Sequence, residues 1–181
     1  MPAPTLLLVP GALRAGSFNR MLLNEAARLF NGEAIMADTD LPLYNGDVET
    51  NEGIPAKVQT LADQIAAADA VLLGAPEYNQ SMSGVLKNAL DWVSRTSPNP
   101  WLDKPVGIVS SAAGRAGGAR GQYALRLAMN PFQARVLAGP EVMVAAAETV
   151  FDADGRLTDE RYMRALKGLV EKLTASIAVK G

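Results

Sequence analysis

Residues 70–93 read AVLLGAPEYNQSMSGVLKNALDWV, and this stretch decides the fold. The short apolar run at 70–74 predicts a buried strand, and apolar positions spaced i, i+3, i+4 and i+7 through 82–93 predict a helix with one buried face. The residues PEYN (76–79) lie between the predicted strand and the predicted helix, and they are not residues that pack a hydrophobic core. We therefore expect this junction to hold a flat molecule with polar edges.

The rest of the chain repeats the alternation of short apolar runs and amphipathic stretches. Strands without polar alternation, separated by helices, predict an α/β fold in which a parallel sheet is covered on both faces. The longest segments without a periodic pattern are 38–53 and 96–103. The predicted strands are 4–11, 33–37, 70–75, 105–111 and 141–146, and the predicted helices are 17–30, 54–68, 82–93, 118–129 and 158–177.

Composition and net charge exclude several classes of function. The 181 residues form one predicted domain, 1–181, with a net charge of −2, so no nucleic-acid partner is expected. No apolar run reaches the length of a membrane span and no signal peptide is evident, which predicts a cytoplasmic protein. The chain has no His and no Cys, which excludes thiolate catalysis, a Ser-His-Asp triad and a Cys/His zinc site. An enzyme of this composition is expected to use a cofactor and no metal site.

Three polar segments that contain glycine follow the first, third and fourth predicted strands. They are GALRAGSFNR (11–20), PEYNQSMSG (76–84) and SSAAGRAGG (110–118). Ligands of open parallel sheets bind outside the carboxyl ends of the strands. The three segments are therefore expected to meet in one site.

The first segment ends in a helix N-terminus, which is a natural site for an anion. Ser17 is the expected cap, and Arg14, Asn19 and Arg20 add hydrogen-bond donors. A phosphate fits best, although neither a GxGxxG nor a GKS/GKT motif is present. The alternative is a plain strand-to-helix turn with solvated arginines.

The second segment suits the edge of a planar heterocycle. Pro76 stiffens the exit from the strand, Tyr78 offers an aromatic ring, and Asn79 offers donors and an acceptor. In the alternative, Glu77 only caps the next helix and Tyr78 packs at a subunit contact.

The third segment consists of small residues, which allow backbone to approach a ring closely. Ser111 and the N–H of Gly114 are candidate donors; the alternative is a flexible loop. A phosphate at one end and a ring pocket at the other predict a mononucleotide, and flavin mononucleotide (FMN) is the natural candidate for such a sheet.

The stretches GALRAGSFNR, DLPLYNGDVE, PEYNQSMSGVLKNALDW and KPVGIVSSAAGRAGGARGQYALR resemble the NADPH-dependent FMN reductase family over nearly the whole chain, with the bacterial quinone and chromate reductases as the nearest branch. The resemblance implies a flavodoxin-like three-layer sandwich with strand order 2-1-3-4-5 and bound FMN. It also implies two-electron reduction of quinones, and of flavins, azo dyes or chromate, by NADPH or NADH. Members form homodimers or homotetramers.

The resemblance also assigns residues. Its cofactor-binding positions fall here on Arg14, Ser17, Phe18, Asn19, Pro76, Glu77, Tyr78, Asn79, Ser111 and Gly114. One departure is Ala12, where the family loop usually has Ser, so one hydroxyl near the phosphate is lost.

A ping-pong exchange through flavin N5 is expected, because one open face would serve both donor and acceptor. Tyr78 would position the ring, and no side chain would act as a catalytic acid.

The main alternative is a flavodoxin-type electron carrier that binds FMN without oxidising NAD(P)H, although such carriers are usually far more acidic. A phospho-acceptor receiver domain would need an acidic pair after the first strand, where PGALR stands. A flavin-free interaction protein on the same fold would be colourless.

Overall fold

A computed structural model describes residues 3–177 and contains the parallel sheet expected from the sequence. The strands are Thr5–Pro10 (β1), Glu33–Met36 (β2), Ala70–Gly74 (β3), Glu77–Tyr78 (β4), Ser81–Met82 (β5), Pro105–Ser111 (β6), Arg135–Val136 (β7) and Val142–Val144 (β8). The helices are Phe18–Leu29 (α1), Gly46–Glu52 (α2), Ala56–Ala67 (α3), Gly84–Val93 (α4), Ala119–Met129 (α5), Ala147–Val150 (α6) and Glu160–Ile177 (α7), and a 3₁₀ turn spans Asn130–Phe132.

The main sheet runs β2-β1-β3-β6, and every pair in it is parallel. β7 and β8 both pair with β6 on its free side and together occupy the fifth position. The predicted order 2-1-3-4-5 is therefore confirmed.

Alternate strand residues face two separate cores. Leu7 and Val9 of β1 join one apolar cluster with α3, α4 and α5, whereas Leu6 and Leu8 join another with α1 and α7. Both clusters are almost entirely shielded from water, which accounts for strands that are apolar at every position. The predicted three-layer sandwich is confirmed.

The fifth strand is split, which the sequence prediction of one strand over 141–146 missed. β7 pairs with the beginning of β6 through Pro105 and Arg135, and β8 pairs with its end through Val109 and Val142. Pro140 lies between the two pieces and has no N–H to donate to a ladder. The strand is therefore interrupted at this point.

The segment 38–53, predicted to be irregular, contains α2. This helix buries none of its residues and so has no hydrophobic periodicity to reveal it. Its N-cap is Asn45, whose side chain accepts a hydrogen bond from the N–H of Asp47 at 2.9 Å. The preceding residues are fastened to α4, because the carbonyl of Pro42 accepts hydrogen bonds from Trp92 Nε1 at 2.7 Å and Asn88 Nδ2 at 3.0 Å.

No helix within residues 3–177 is long and apolar enough to cross a membrane.

The two tryptophans of the chain provide a test of the packing. Trp92 and Trp101 are both buried, but only the indole N–H of Trp92 has a hydrogen-bond partner among the described residues. Replacing each with Phe removes a similar area of ring, whereas only Trp92→Phe also removes a hydrogen bond. Trp92→Phe is expected to lower the free energy of unfolding by about 1 kcal/mol more than Trp101→Phe, measured by denaturant titration. Equal losses in the two variants would contradict this packing.

Candidate functional site

The carboxyl ends of β1, β3 and β6 lie side by side because their hydrogen bonds continue past the strands. The N–H of Gly11 donates to the carbonyl of Gly74 at 2.8 Å, and the N–H of Ala75 donates to that of Val109 at 2.8 Å. A Cβ on Gly11 would stand 2.5 Å from the Gly74 oxygen, so this approach requires glycine. The three polar segments consequently begin at one edge, as predicted.

A cavity of about 260 Å³ opens at this edge. Eight of the ten predicted site residues line it: Arg14, Ser17, Phe18, Asn19, Pro76, Glu77, Tyr78 and Ser111. Ala112, Ala113 and Glu148 complete the wall, whereas Asn79 and Gly114 do not contribute to it. The volume is just below the roughly 300 Å³ at which small-molecule sites begin, so a larger ligand would project from the mouth.

The first segment presents unpartnered donors at the start of α1. Ser17 is the N-cap residue and is buried, but its hydroxyl makes no capping hydrogen bond, contrary to the expectation that it caps the helix. Within residues 3–177 the N–H groups of Phe18, Asn19 and Arg20 also have no hydrogen-bond acceptor. These donors, together with the positive end of the helix dipole, suit an anion.

Asn19 connects two of the segments instead of pointing freely into the cavity. Its Nδ2 donates to the carbonyl of Ser111 at 2.8 Å, and its Oδ1 accepts from the N–H of Ser111 at 3.0 Å. Both residues are buried. The side chain of Asn19 therefore fixes the start of α1 against the end of β6.

Arg14 and Phe18 form the outer part of this end of the cavity. The Arg14 guanidinium lies 5.9 Å from the centre of the Phe18 ring, and Phe18 stacks on Phe151 at 5.7 Å. Arg14 makes no ion pair with any described residue. Its charge is thus available to a ligand.

Arg20 does not line the cavity. It lies near Asp38, where the N–H of Asp40 and the ammonium of Lys57 hold the pKa of the Asp38 carboxyl below its usual value, and Arg20 adds a weaker effect. The Lys57 ammonium is 2.9 Å from that carboxylate.

The second segment folds into a β-hairpin, β4–β5, that the sequence analysis did not predict. Asn79 and Gln80 form its turn with φ values of 50° and 66°, the backbone of a tight turn with both central residues left-handed. Asn79 is consequently at the tip of the hairpin. Pro76 is buried in the cavity wall, and Tyr78 stands at the rim with half of its surface exposed.

Glu77 caps a helix, but not the one that follows it. Its Oε2 accepts hydrogen bonds from the N–H of Arg120 at 2.9 Å and of Gly121 at 3.4 Å, in the first turn of α5. The Arg120 guanidinium lies 3.6 Å from the same carboxylate. The adjacent helix α4 is capped by Ser83, whose hydroxyl accepts from the N–H of Leu86.

The third segment contributes a buried hydroxyl that has no partner. Ser111 lines the cavity, and its Oγ is buried and makes no hydrogen bond to any described residue. An unpaired buried hydroxyl is costly, which indicates that a ligand or water completes it. Ser111 is therefore a further candidate polar contact for a ligand, beside the start of α1 to which Asn19 ties its backbone.

Gly117 and Gly118, not Gly114, are the glycines that the loop requires. Gly117 has φ of 59°, and a Cβ there would lie 2.5 Å from the carbonyl of Met143; Gly118 has φ of 89°. Gly114 has open space around it. Ser110 secures the loop by donating to the Gly117 carbonyl at 2.5 Å.

Glu148, on the short helix α6, is the lining residue that sequence reasoning missed. Four residues of helix carry too little periodicity to be recognised, and Glu148 is 37 positions from Ser111 in a stretch without a motif. Only the fold brings it to the cavity.

Free amides at a helix start, the unpaired Arg14 guanidinium and the aromatic ring of Tyr78 at the rim suit a molecule with an anionic tail and a planar ring. The residues therefore fit FMN. The sequence model described as NADPH-dependent FMN reductase matches residues 4–149 of this chain. The chain belongs to the NADPH-dependent FMN reductase family. It is thus an oxidoreductase of a family that uses FMN and NAD(P)H.

The chain is also similar to individual proteins of known name. An NAD(P)H-dependent FMN reductase of Pseudomonas aeruginosa is 44% identical over 171 residues, covering 93% of this chain and 92% of that protein. A quinone reductase of Escherichia coli is 40% identical over 163 residues, covering 87% of each chain. The solved structure of the flavoenzyme NAD(P)H:(acceptor) oxidoreductase of Paracoccus denitrificans superposes with a TM-score of 0.86 at 32% identity, covering 97% of each chain.

Two glycines of one loop test this geometry. Gly117→Ala is expected to lower the free energy of unfolding by about 2 kcal/mol or more, because the new Cβ meets backbone and the left-handed φ is strained. Gly114→Ala, four positions from the end of the same segment, should change stability by less than about 0.5 kcal/mol, since nothing surrounds it. Denaturant titration measures the free energy of unfolding of both variants. Comparable losses in Gly117→Ala and Gly114→Ala would contradict the described conformation of this loop.

Proposed function

We propose that this chain is an FMN-dependent NAD(P)H oxidoreductase that carries out two-electron reduction of quinones. The observation that carries the proposal is that one cavity is lined both by the start of α1, with its unpartnered amides, and by Pro76 and Tyr78 at the hairpin. Its anion-binding end and its ring-binding end match the two parts of FMN.

We assign the phosphate to the start of α1. Arg14, the hydroxyl of Ser17 and the amides of Phe18 and Asn19 would hold it, and the side chain of Asn19 would keep these donors aligned with β6 through Ser111. Ala12, which is buried, offers no hydroxyl where the family loop usually has one. The helix amides would carry the larger share of the interaction.

We assign the ring to the space between the hairpin and the loop after β6. Pro76, Glu77 and Tyr78 would lie along one edge, with Ser111 at the pyrimidine side. In this proposal Asn79 acts at the hairpin tip and Gly114 through its N–H; each directly follows a lining residue in the sequence, Tyr78 and Ala113. Since Glu77 is occupied with α5, its backbone, not its carboxylate, would contact the ligand.

FMN, when bound, supplies hydride transfer from NAD(P)H at N5 and two-electron delivery to an acceptor. The chain would supply position and charge: backbone N–H groups, that of Gly114 among them, would stabilise negative charge at the pyrimidine, and Tyr78 at the rim would orient a molecule that stacks on the ring. With no His or Cys in the sequence, protons would be exchanged with solvent at the open mouth.

The same open mouth would serve donor and acceptor in turn, which is the basis for a ping-pong order. Quinones are the proposed acceptors because of the Escherichia coli relative's name; flavins, azo dyes and chromate are further candidates.

We also propose that residues 1–181 act as one domain in the cytoplasm, where NAD(P)H is produced. Assembly as a homodimer or homotetramer stays a prediction.

An anaerobic titration of the FMN-loaded protein tests the function. Addition of NADPH or NADH alone is expected to bleach the visible flavin absorbance, and a quinone added afterwards should restore it. Free FMN with the same nucleotides is the control and should not bleach on this timescale. Protein that stays coloured until a separate reductase is added would be an electron carrier, and protein that takes up no FMN would contradict the proposal altogether.

A variant at Ser17 tests where the phosphate lies. Ser17→Glu places a carboxylate at the buried start of α1, so FMN binding should weaken by about a hundredfold or more through charge repulsion and lost space. Ser17→Ala removes only one hydroxyl and should weaken binding by about threefold to tenfold. Fluorescence titration with FMN measures both; full FMN affinity in Ser17→Glu would refute the phosphate assignment.

A further inference from the structure

The cavity wall carries three charged side chains, and they differ in how their charge is balanced. Glu77 is compensated by two amides of α5 and by the guanidinium of Arg120. Arg14 and Glu148 line the same cavity and have no ion-pair partner in the described part of the chain. A ligand in the cavity therefore meets one uncompensated positive charge and one uncompensated negative charge.

Glu148 lines the cavity from α6, a short helix whose flanking residues contact both the loop after β6 and the start of α1. The N–H of its neighbour Ala147 donates to the carbonyl of Ala112 at 3.2 Å, which ties the start of α6 to the loop after β6. Immediately after α6, Phe151 stacks on Phe18, the first residue of α1. α6 thus connects the loop after β6 to the start of α1. Glu148 occupies an exposed position on α6.

The unpaired charges that line the cavity do not neutralise a phosphate. A phosphate monoester carries about −1.5 to −2 at pH 7. The helix start contributes about +0.5 and Arg14 contributes one positive charge, but Glu148 offsets most of that. Removal of the Glu148 charge would leave a distinctly more favourable site for a phosphate, whereas an uncharged ring has no net charge for Glu148 to oppose.

We propose that Glu148 sets the flavin specificity of this site, by opposing the phosphate of FMN and so reducing its advantage over riboflavin. The inference rests on the proposed function, since it assumes that the cavity binds a flavin. Ala12, which is buried, also lowers the affinity for FMN relative to riboflavin, because it lacks a hydroxyl that would bind the phosphate. Both features are consequently expected to narrow the difference in affinity between FMN and riboflavin.

The test compares two ligands on the flavin-free full-length chain, by fluorescence titration and not by turnover. Glu148→Gln should tighten FMN binding about fivefold at low salt, which corresponds to about 1 kcal/mol, because one repulsive charge is removed near the protein surface. Riboflavin has no phosphate, so its affinity should stay within about twofold. High salt should shrink the gain for FMN, since exposed charges are screened.

Glu33→Gln is the matched control. It makes the same change in net charge at an exposed residue that begins β2, at the opposite end of the sheet, and should leave both affinities unchanged. An unchanged FMN affinity in Glu148→Gln, or an equal gain for riboflavin, would overturn the inference while leaving the flavin site intact. A parent chain that binds neither flavin would instead overturn the proposed function and the inference with it.

Discussion

The parallel pairing of β1, β3 and β6 is the constraint on which the site depends. Each strand is shielded on both faces, so the sheet cannot slip without exposing one of the two cores. The pairing continues into Gly11 and Ala75, so the three following segments begin at the same level. The cavity results from this alignment more than from any one side chain.

Polar side chains then hold these segments in place. Asn19 ties α1 to β6, and Glu77 ties the hairpin to α5, each through hydrogen bonds to backbone. These residues are polar and lie at the site, yet their side chains are occupied within the protein. The donors left for a ligand are mostly backbone amides, which accords with a chain that has no His and no Cys and whose redox chemistry belongs to a cofactor.

Much of the fold was predictable, because it follows from local patterns. Apolar runs predict β1, β2, β3, β6 and β8, and periodicity predicts α1, α3, α4, α5 and α7. The position of the three segments follows from the general behaviour of parallel sheets. What the sequence could not show depends on distant contacts: Glu77 meets α5 some 43 residues away, and α6 brings Glu148 to the cavity. Gly114 and Gly117 look alike in sequence, and only the backbone angles distinguish them.

The central claim is that FMN lies across the ends of β1, β3 and β6 with its phosphate at the start of α1. A crystal structure of the chain grown with FMN tests it most directly. We expect phosphate oxygens within hydrogen-bond distance of the amides of Phe18 and Asn19, and a ring edge beside the Ser111 hydroxyl. An empty cavity in the presence of excess FMN, or a phosphate bound elsewhere, would contradict the claim.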